Sequence, residues 1–174
     1  RECVEKLDLE SNSCDREVFD VSLEFKENNK KKTPALRARF SEFSQYSNDF
    51  NQCEYLIFPI KEDLNHKEDL EEIKEKVIIE LPDLIYPFYE EKISSNLQEL
   101  KSFGFKNAIS GNIGGIEIIK KAGLNAFGGH TLNIANSEAI EFYESQGVKD
   151  LTLSVELSAK AIDNINSNVK IGAY

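Results

Sequence analysis

The sequence predicts an α/β fold: a partial or complete TIM-barrel-like parallel (β/α) domain with a short N-terminal appendage. Three observations carry this. Seven short runs rich in apolar and β-branched residues recur between residues 35 and 174. Stretches with apolar residues three and four apart, the spacing of an amphipathic helix, lie between several of them. Glycines stand where a helix must stop before the next strand begins. Strands alternating with single helices imply right-handed βαβ crossovers and a parallel sheet. A doubly wound open sheet is the competing architecture, and local pattern does not separate the two.

Residues 1–34 break this rhythm with a helix-like ECVEKL, an alternating REVFDVSLEF and a polar ENNKKKTP. They read as the tail of a preceding domain plus a linker, with order restarting at Pro34. The opening RECVEKLDL and the closing VKIGAY read as the cut ends of a piece of a larger protein. The barrel-like domain, 35–174, is expected to be truncated at its C-terminus.

Its strands are expected at ALRARF (35–40), EYLIFPI (54–60), KVIIELP (76–82), KNAISGN (106–112), LNAFGG (124–129), DLTLSVEL (150–157) and NVKIGAY (168–174). Helices are expected at EDLEEIKEK (68–76), SSNLQELKSFG (94–104), GGIEIIKKAG (114–123) and SEAIEFYESQG (137–147). Gly104, Gly123 and Gly147 supply the left-handed residue that closes a helix. Ser137 is the expected N-cap of the helix that begins at Glu138.

Composition excludes several functions. With 31 acidic and 21 basic residues the net charge is −10, which repels a phosphate backbone, so direct nucleic-acid binding is not expected. The Lys30–Lys32 run reads as a solvated loop. No window approaches the roughly 18 apolar residues of a membrane span and the charged start is no signal peptide, so the chain reads as soluble and cytoplasmic. Cys3, Cys14 and Cys53 form no CxxC pair and leave one over, which indicates buried thiols and no metal site.

In parallel α/β folds, chemistry sits in the loops at the carboxyl ends of the strands. SGNIGG (110–115) lets a backbone approach a ligand, through Asn112 and the Gly114 and Gly115 amides, or is simply a tight βα turn. It matches neither phosphate-loop nor dinucleotide spacing. In HTLNIAN (130–136), Asn133 and Asn136 either pin the loop or meet a ligand. His130, one of two histidines, is the candidate for proton transfer near neutral pH, with a structural role as its alternative. His66, in a charged stretch, reads as surface. Ser154 and Glu156 would share one face of a strand, where Glu156 is either an acid/base or metal-ligand candidate or a cap of the next helix. Asp83 and Tyr86 are weaker candidates, because Pro82 and Pro87 explain their loop as a turn. No Ser-His-Asp order, HExxH or Cys-His arrangement is visible.

The stretch LNIANSEAIEFYESQGVKDLTLSVELS, preceded by SGNIGG and KKAGLNAFGG, resembles the collagenase-like peptidase family U32, over about residues 36–174. Leu132, Asn133, Asn136 and Ser137 carry one motif, Gly147 to Ser158 a second, and Gly111, Asn112 and Gly114 a third. The opening RECVEKL is similar to the end of the domain of unknown function that lies between two peptidase-like regions in long family members. The resemblance implies a TIM-barrel-like fragment of a collagenase-like peptidase of unassigned mechanism, inactive alone, whose partner is the remainder of the full-length protein. Relatives are implicated in RNA hydroxylation, and some carry an iron–sulfur cluster on cysteines. Those cysteines would follow Tyr174, so the chain itself is expected to hold no cofactor.

Two readings follow from these residues. In the first, His130 and Glu156 are catalytic, and Asn112, Gly114, Gly115, Asn133, Asn136 and Ser154 hold a peptide or RNA substrate. In the second, the region is a non-catalytic scaffold of an RNA-hydroxylation enzyme. A sheet left open at its edges would also invite a homo-oligomer.

Overall fold

In the computed structural model, residues 35–173 are described; the expectations for residues 1–34 lie outside them. Seven strands run β1 (Arg37–Arg39), β2 (Tyr55–Pro59), β3 (Val77–Glu80), β4 (Asn107–Ser110), β5 (Asn125–Gly128), β6 (Asp150–Thr152) and β7 (Lys170–Gly172). Every neighbouring pair is parallel and the spatial order is the sequence order, β1 to β7. A doubly wound sheet reverses its order at a switch point; this one does not, so it curls as part of a barrel.

Contacts between distant strands show the curl. Arg37 of β1 donates twice to Asp150 of β6, at 2.6 Å for each bond. In a flat sheet those strands would stand about 24 Å apart, five spacings of ~4.8 Å, beyond the reach of an arginine. Lys170 of β7 likewise pairs with Glu54 at the start of β2. A Cβ placed on Gly172 would lie 3.4 Å from Nη1 of Arg37, so the guanidinium lies over the backbone of β7.

Five α-helices accompany the strands: α1 (Ile60–Asn65), α2 (Pro87–Phe103), α3 (Ile113–Ala122), α4 (Ser137–Ser145) and α5 (Ala159–Asp163). None is long and apolar enough to cross a membrane. Their inward stripes meet the convex face of the sheet, as in α2, where Ile93, Leu97 and Leu100 are buried. Burial of each such side chain contributes about 1.5–3 kcal/mol. Alternate strand residues face the other way. Ile57, Ile78, Ile109 and Phe127 form a separate apolar cluster on the concave face, with Tyr55 against it.

Four expectations need correction. The segment 68–76 is not an α-helix: it holds only Leu70 and Ile73 as apolar residues and makes one 3-10 turn, Glu71–Ile73. The α-helix forms earlier, at Ile60–Asn65, directly after Pro59. Helix α2 begins at Pro87, seven residues before the predicted Ser94, because a proline at the first helical position loses no hydrogen bond and already has helical φ. Strand β6 ends at Thr152, so Ser154 and Glu156 share no strand face; residues 155 and 156 form a turn, and the backbone N–H of Glu156 donates to Ser154 Oγ at 3.4 Å. Finally, Asn136 rather than Ser137 caps α4, with its side chain accepting from the Ala139 amide at 2.8 Å. The hydroxyl of Ser137 instead accepts from the Asn166 amide at 3.0 Å. The left-handed glycines stand as expected, with φ of 112° at Gly104, 74° at Gly123 and 82° at Gly147.

Candidate functional site at the carboxyl ends of the strands

Because β3 to β6 are consecutive and parallel, the loops that follow them share one end of the sheet. That rim carries the Asp83 loop after β3, Ser110-Gly111-Asn112 after β4, Gly129-His130-Thr131 after β5 and Ser154-Val155-Glu156 after β6. Asn112, His130, Asn133 and Glu156 therefore lie toward the same pole, which local sequence alone had left open.

Three of these loops are tied together. The Asn112 side chain donates to the Asp83 carbonyl at 2.9 Å and accepts from the Gly115 amide at 2.7 Å, capping α3. The Thr131 hydroxyl donates to the Gly111 carbonyl at 3.0 Å and lies 3.4 Å from Asp83 Oδ1. The Gly129 amide donates to the Ser110 carbonyl at 2.8 Å. Glycine is required at 111 for closeness rather than for φ, since a Cβ there would fall 1.7 Å from Thr131 Oγ1. A Cβ on Gly115 would fall 2.1 Å from Ser110 Oγ. SGNIGG is thus a tight turn whose Gly115 amide is already occupied, while the Gly114 position stays at the first turn of α3.

The asparagines of 130–136 have different tasks. Asn136 is a cap, as above. Asn133 has φ of +52° and closes the 3-10 turn His130–Leu132; its residue type suits that left-handed position, and its side chain is exposed. His130 opens the same turn, half-buried, next to Thr131. Ser154 is buried, its amide donating to the Ile134 carbonyl at 2.8 Å. Glu156 is exposed in its turn, and Ser158, not Glu156, caps α5 by accepting from the Ala161 amide. His66, expected at the surface, is part-covered: its ring stacks on Phe43 at 4.2 Å and its Nδ1 sits 3.1 Å from Asp69.

Sequence reading missed three charged groups near this end. Arg39 of β1 reaches Glu80 of β3 with Nε 2.8 Å from Oε1, across the concave face. Asp63, in the first turn of α1, is fully buried with neither carboxyl oxygen hydrogen-bonded. Burial first, then the charges of Glu62 and Glu80, pushes the Asp63 carboxyl well above the usual carboxylate range. A signal for Arg39 and Glu80 existed: each is a charged residue at an alternate position of an otherwise apolar run.

Among the described residues Cys53 stands alone, buried and without a disulfide, and no three His, Cys, Asp or Glu side chains converge to hold a metal.

No curated protein matches the chain. Among solved structures, the U32 peptidase Mk0906 superposes with a TM-score of 0.59 over 84% of this chain and 72% of that one, at 12% identity. At that identity the likeness speaks for the fold, a curled α/β half-barrel. The sequence profile of Peptidase family U32 matches residues 58–173, well over half of the chain, and includes every rim loop described above; the chain belongs to peptidase family U32.

Proposed function

We propose that this chain is the substrate-binding half-barrel of a U32 peptidase, and that the rim after β3 to β6 takes a polypeptide for hydrolysis. One observation supports the reading: hydrogen bonds of Asn112 to the Asp83 carbonyl and of Thr131 to Gly111 and Asp83 tie the loop that carries His130 to the loops after β3 and β4. A preorganised rim of this kind is what hydrolysis needs. His130 takes a proton from a water whose oxygen attacks the peptide carbonyl carbon. It then returns that proton to the leaving nitrogen as the C–N bond breaks. Glu156, in the adjacent loop, supplies negative charge beside the imidazolium formed between those steps. Asn133 contributes an exposed amide for the substrate backbone.

The test is hydrolysis of a quenched fluorescent casein by the intact protein and by its His130→Ala and Glu156→Gln variants, with circular dichroism as the folding control. Loss of turnover by 100-fold or more in His130→Ala is expected, the scale of a missing general base. Unchanged turnover in a folded variant removes His130 from the reaction.

A second reading has its own support. The side-chain oxygens of Asn112, Asn136 and Ser158 are all engaged as helix caps, so much of the amide content of the rim serves the fold. As a scaffold of an RNA-modifying protein, the domain would tolerate both variants above while its removal abolished RNA hydroxylation. Mass spectrometry of the RNA separates the two readings.

A further inference from the structure

The loop after β3 and the first turn of α2 carry apolar side chains that the described residues leave exposed. Leu84 and Phe88 are 73% and 72% exposed, and Tyr86, Tyr89 and Ile113 are about half exposed or more. Phe88 is five residues from the buried Ile93, about 140° around the helix, so it points away from the core. The rings are already ordered: Tyr86 and Phe88 are nearly parallel at 5.5 Å between centroids, and Phe88 and Tyr89 are 4.4 Å apart. Pro87 at the start of α2 and the half-buried Ile85 hold this ledge in place. The Asn112–Asp83 bond brings the first residue of α3, Ile113, to the same rim as Leu84. An exposed cluster of aromatic rings of this kind, Tyr86, Phe88 and Tyr89, is the sort of apolar surface that serves as a binding site.

Charge decides what it binds. Asp83, Glu90 and Glu91 are exposed around the ledge with one exposed cation, Lys92, a turn along from Phe88, so the ledge stays net negative on a protein of net charge −10. Phosphate backbones and anionic lipid are repelled by that rim. A second copy docked face to face would set the same carboxylates against each other. We propose that the ledge is a docking subsite for a polypeptide segment in which an aromatic or large aliphatic side chain is flanked by Lys or Arg. The apolar side chain stacks on Phe88 and Tyr86, and its basic neighbours meet Asp83, Glu90 and Glu91. This rests on the peptidase reading and names the class of segment that the rim selects. Because the rings are preordered, little conformational freedom is lost on binding.

The test is fluorescence anisotropy with a fluorescein-labelled unstructured peptide holding one Phe between Lys pairs, with Phe→Ala and Lys→Glu versions as controls. The expected result is saturable binding of the Lys-flanked peptide, weakened tenfold or more in Phe88→Ser, in Glu90→Lys/Glu91→Lys and with either control peptide. Both protein changes lie on exposed positions, so folding is retained and is checked by thermal melting. Equal affinity for the Lys- and Glu-flanked peptides, or no change in Phe88→Ser, overturns the proposal. So does capture by the ledge of single-stranded RNA or phosphatidylserine vesicles in place of peptide, or a Phe88-dependent dimer in sedimentation without peptide binding. Anisotropy needs no turnover, so failure of hydrolysis in the wild type leaves this result readable. Conversely, hydrolysis with unaltered binding by Phe88→Ser removes the ledge alone.

Discussion

Substitution of Asp63 by Asn isolates the one carboxyl that, among the described residues, is buried without a hydrogen bond. Asp63 is 0% exposed, both its oxygens lack partners, and Glu62 and Glu80 add like charge. Its folded-state pKa is therefore raised, whereas in the unfolded chain an aspartate ionises near about pH 3.9. The direction of linkage follows. Above the unfolded value the unfolded chain has released a proton that the folded state still holds. Stability thus falls as pH rises, until the folded-state value is passed. One proton's difference in uptake tilts stability by at most about 1.4 kcal/mol per pH unit. The Asn variant keeps the shape of the neutral carboxyl and cannot ionise. Urea unfolding at a series of pH values from about 4 to about 8 should show the two proteins alike at the acid end, with the variant increasingly more stable toward neutrality. Other titrating groups are common to both proteins and cancel in the difference. Parallel stability curves would refute the reasoning, since they would mean that Asp63 is solvated or paired in solution.

Gly111→Ala should destabilise the protein by about 1–3 kcal/mol through the clash with Thr131, and adding Thr131→Ala should recover part of that loss in urea unfolding. Asn136→Ala should cost about 1 kcal/mol as a lost cap, and Asn112→Ala more, because it also removes the bond to the Asp83 carbonyl. Asn133→Val should cost more than Asn133→Gly, given the φ of +52°; equal melting temperatures would show that the turn relaxes. Arg37→Met should cost about 3–5 kcal/mol by leaving buried Asp150 unpaired, while Arg37→Met with Asp150→Leu should regain much of it. Additive losses in the double variant would show that the pair is not a unit.

Much of the fold was legible because its signals are local. Helix ends at Gly104 and Gly123, and strands such as KVIIELP, depend on a residue's own φ preference and its nearest neighbours. The failures came where a remote contact overrode the local pattern. The charged 68–76 segment has helical periodicity but too little to bury, so the short path to Val77 takes it through a single 3-10 turn. The run DLTLSVEL alternates as a strand should, yet the chain turns after Leu153, whose last ladder contact is with Ile134. At the rim, residue type was informative and role was not. An asparagine before a helix and an asparagine in a ligand site look identical in sequence. Only the bonds to the Gly115 and Ala139 amides assign Asn112 and Asn136 to capping.

The choice between barrel and open sheet had a signal in the sequence after all, though not in the spacing of elements. A doubly wound sheet is covered by helices on both faces, so its central strands must be apolar at every position. A curled sheet turns one face on itself, and there polar residues can meet one another instead of a helix. The alternate positions Arg37 and Arg39, Glu80, Asn107, Asn125, Asp150 and Lys170 would each lie under a helix in the open arrangement. In the curled one Arg37 meets Asp150, Arg39 meets Glu80, and the Asn125 amide donates to Asn107 at 3.0 Å. Partners drawn from β1 and β6, five spacings apart, are out of reach across a flat sheet, so the Arg37–Asp150 bonds require the curvature they stabilise, whereas Arg39–Glu80 crosses a single intervening strand and Asn125–Asn107 joins neighbours. The alternation of charge and amide within strands otherwise rich in Ile, Leu and Phe is therefore the physical mark of a concave interior. Of these groups Arg39 and Glu80 end their strands and so lie toward the rim, while Arg37, Asn107, Asn125, Asp150 and Lys170 begin theirs and lie at the opposite pole.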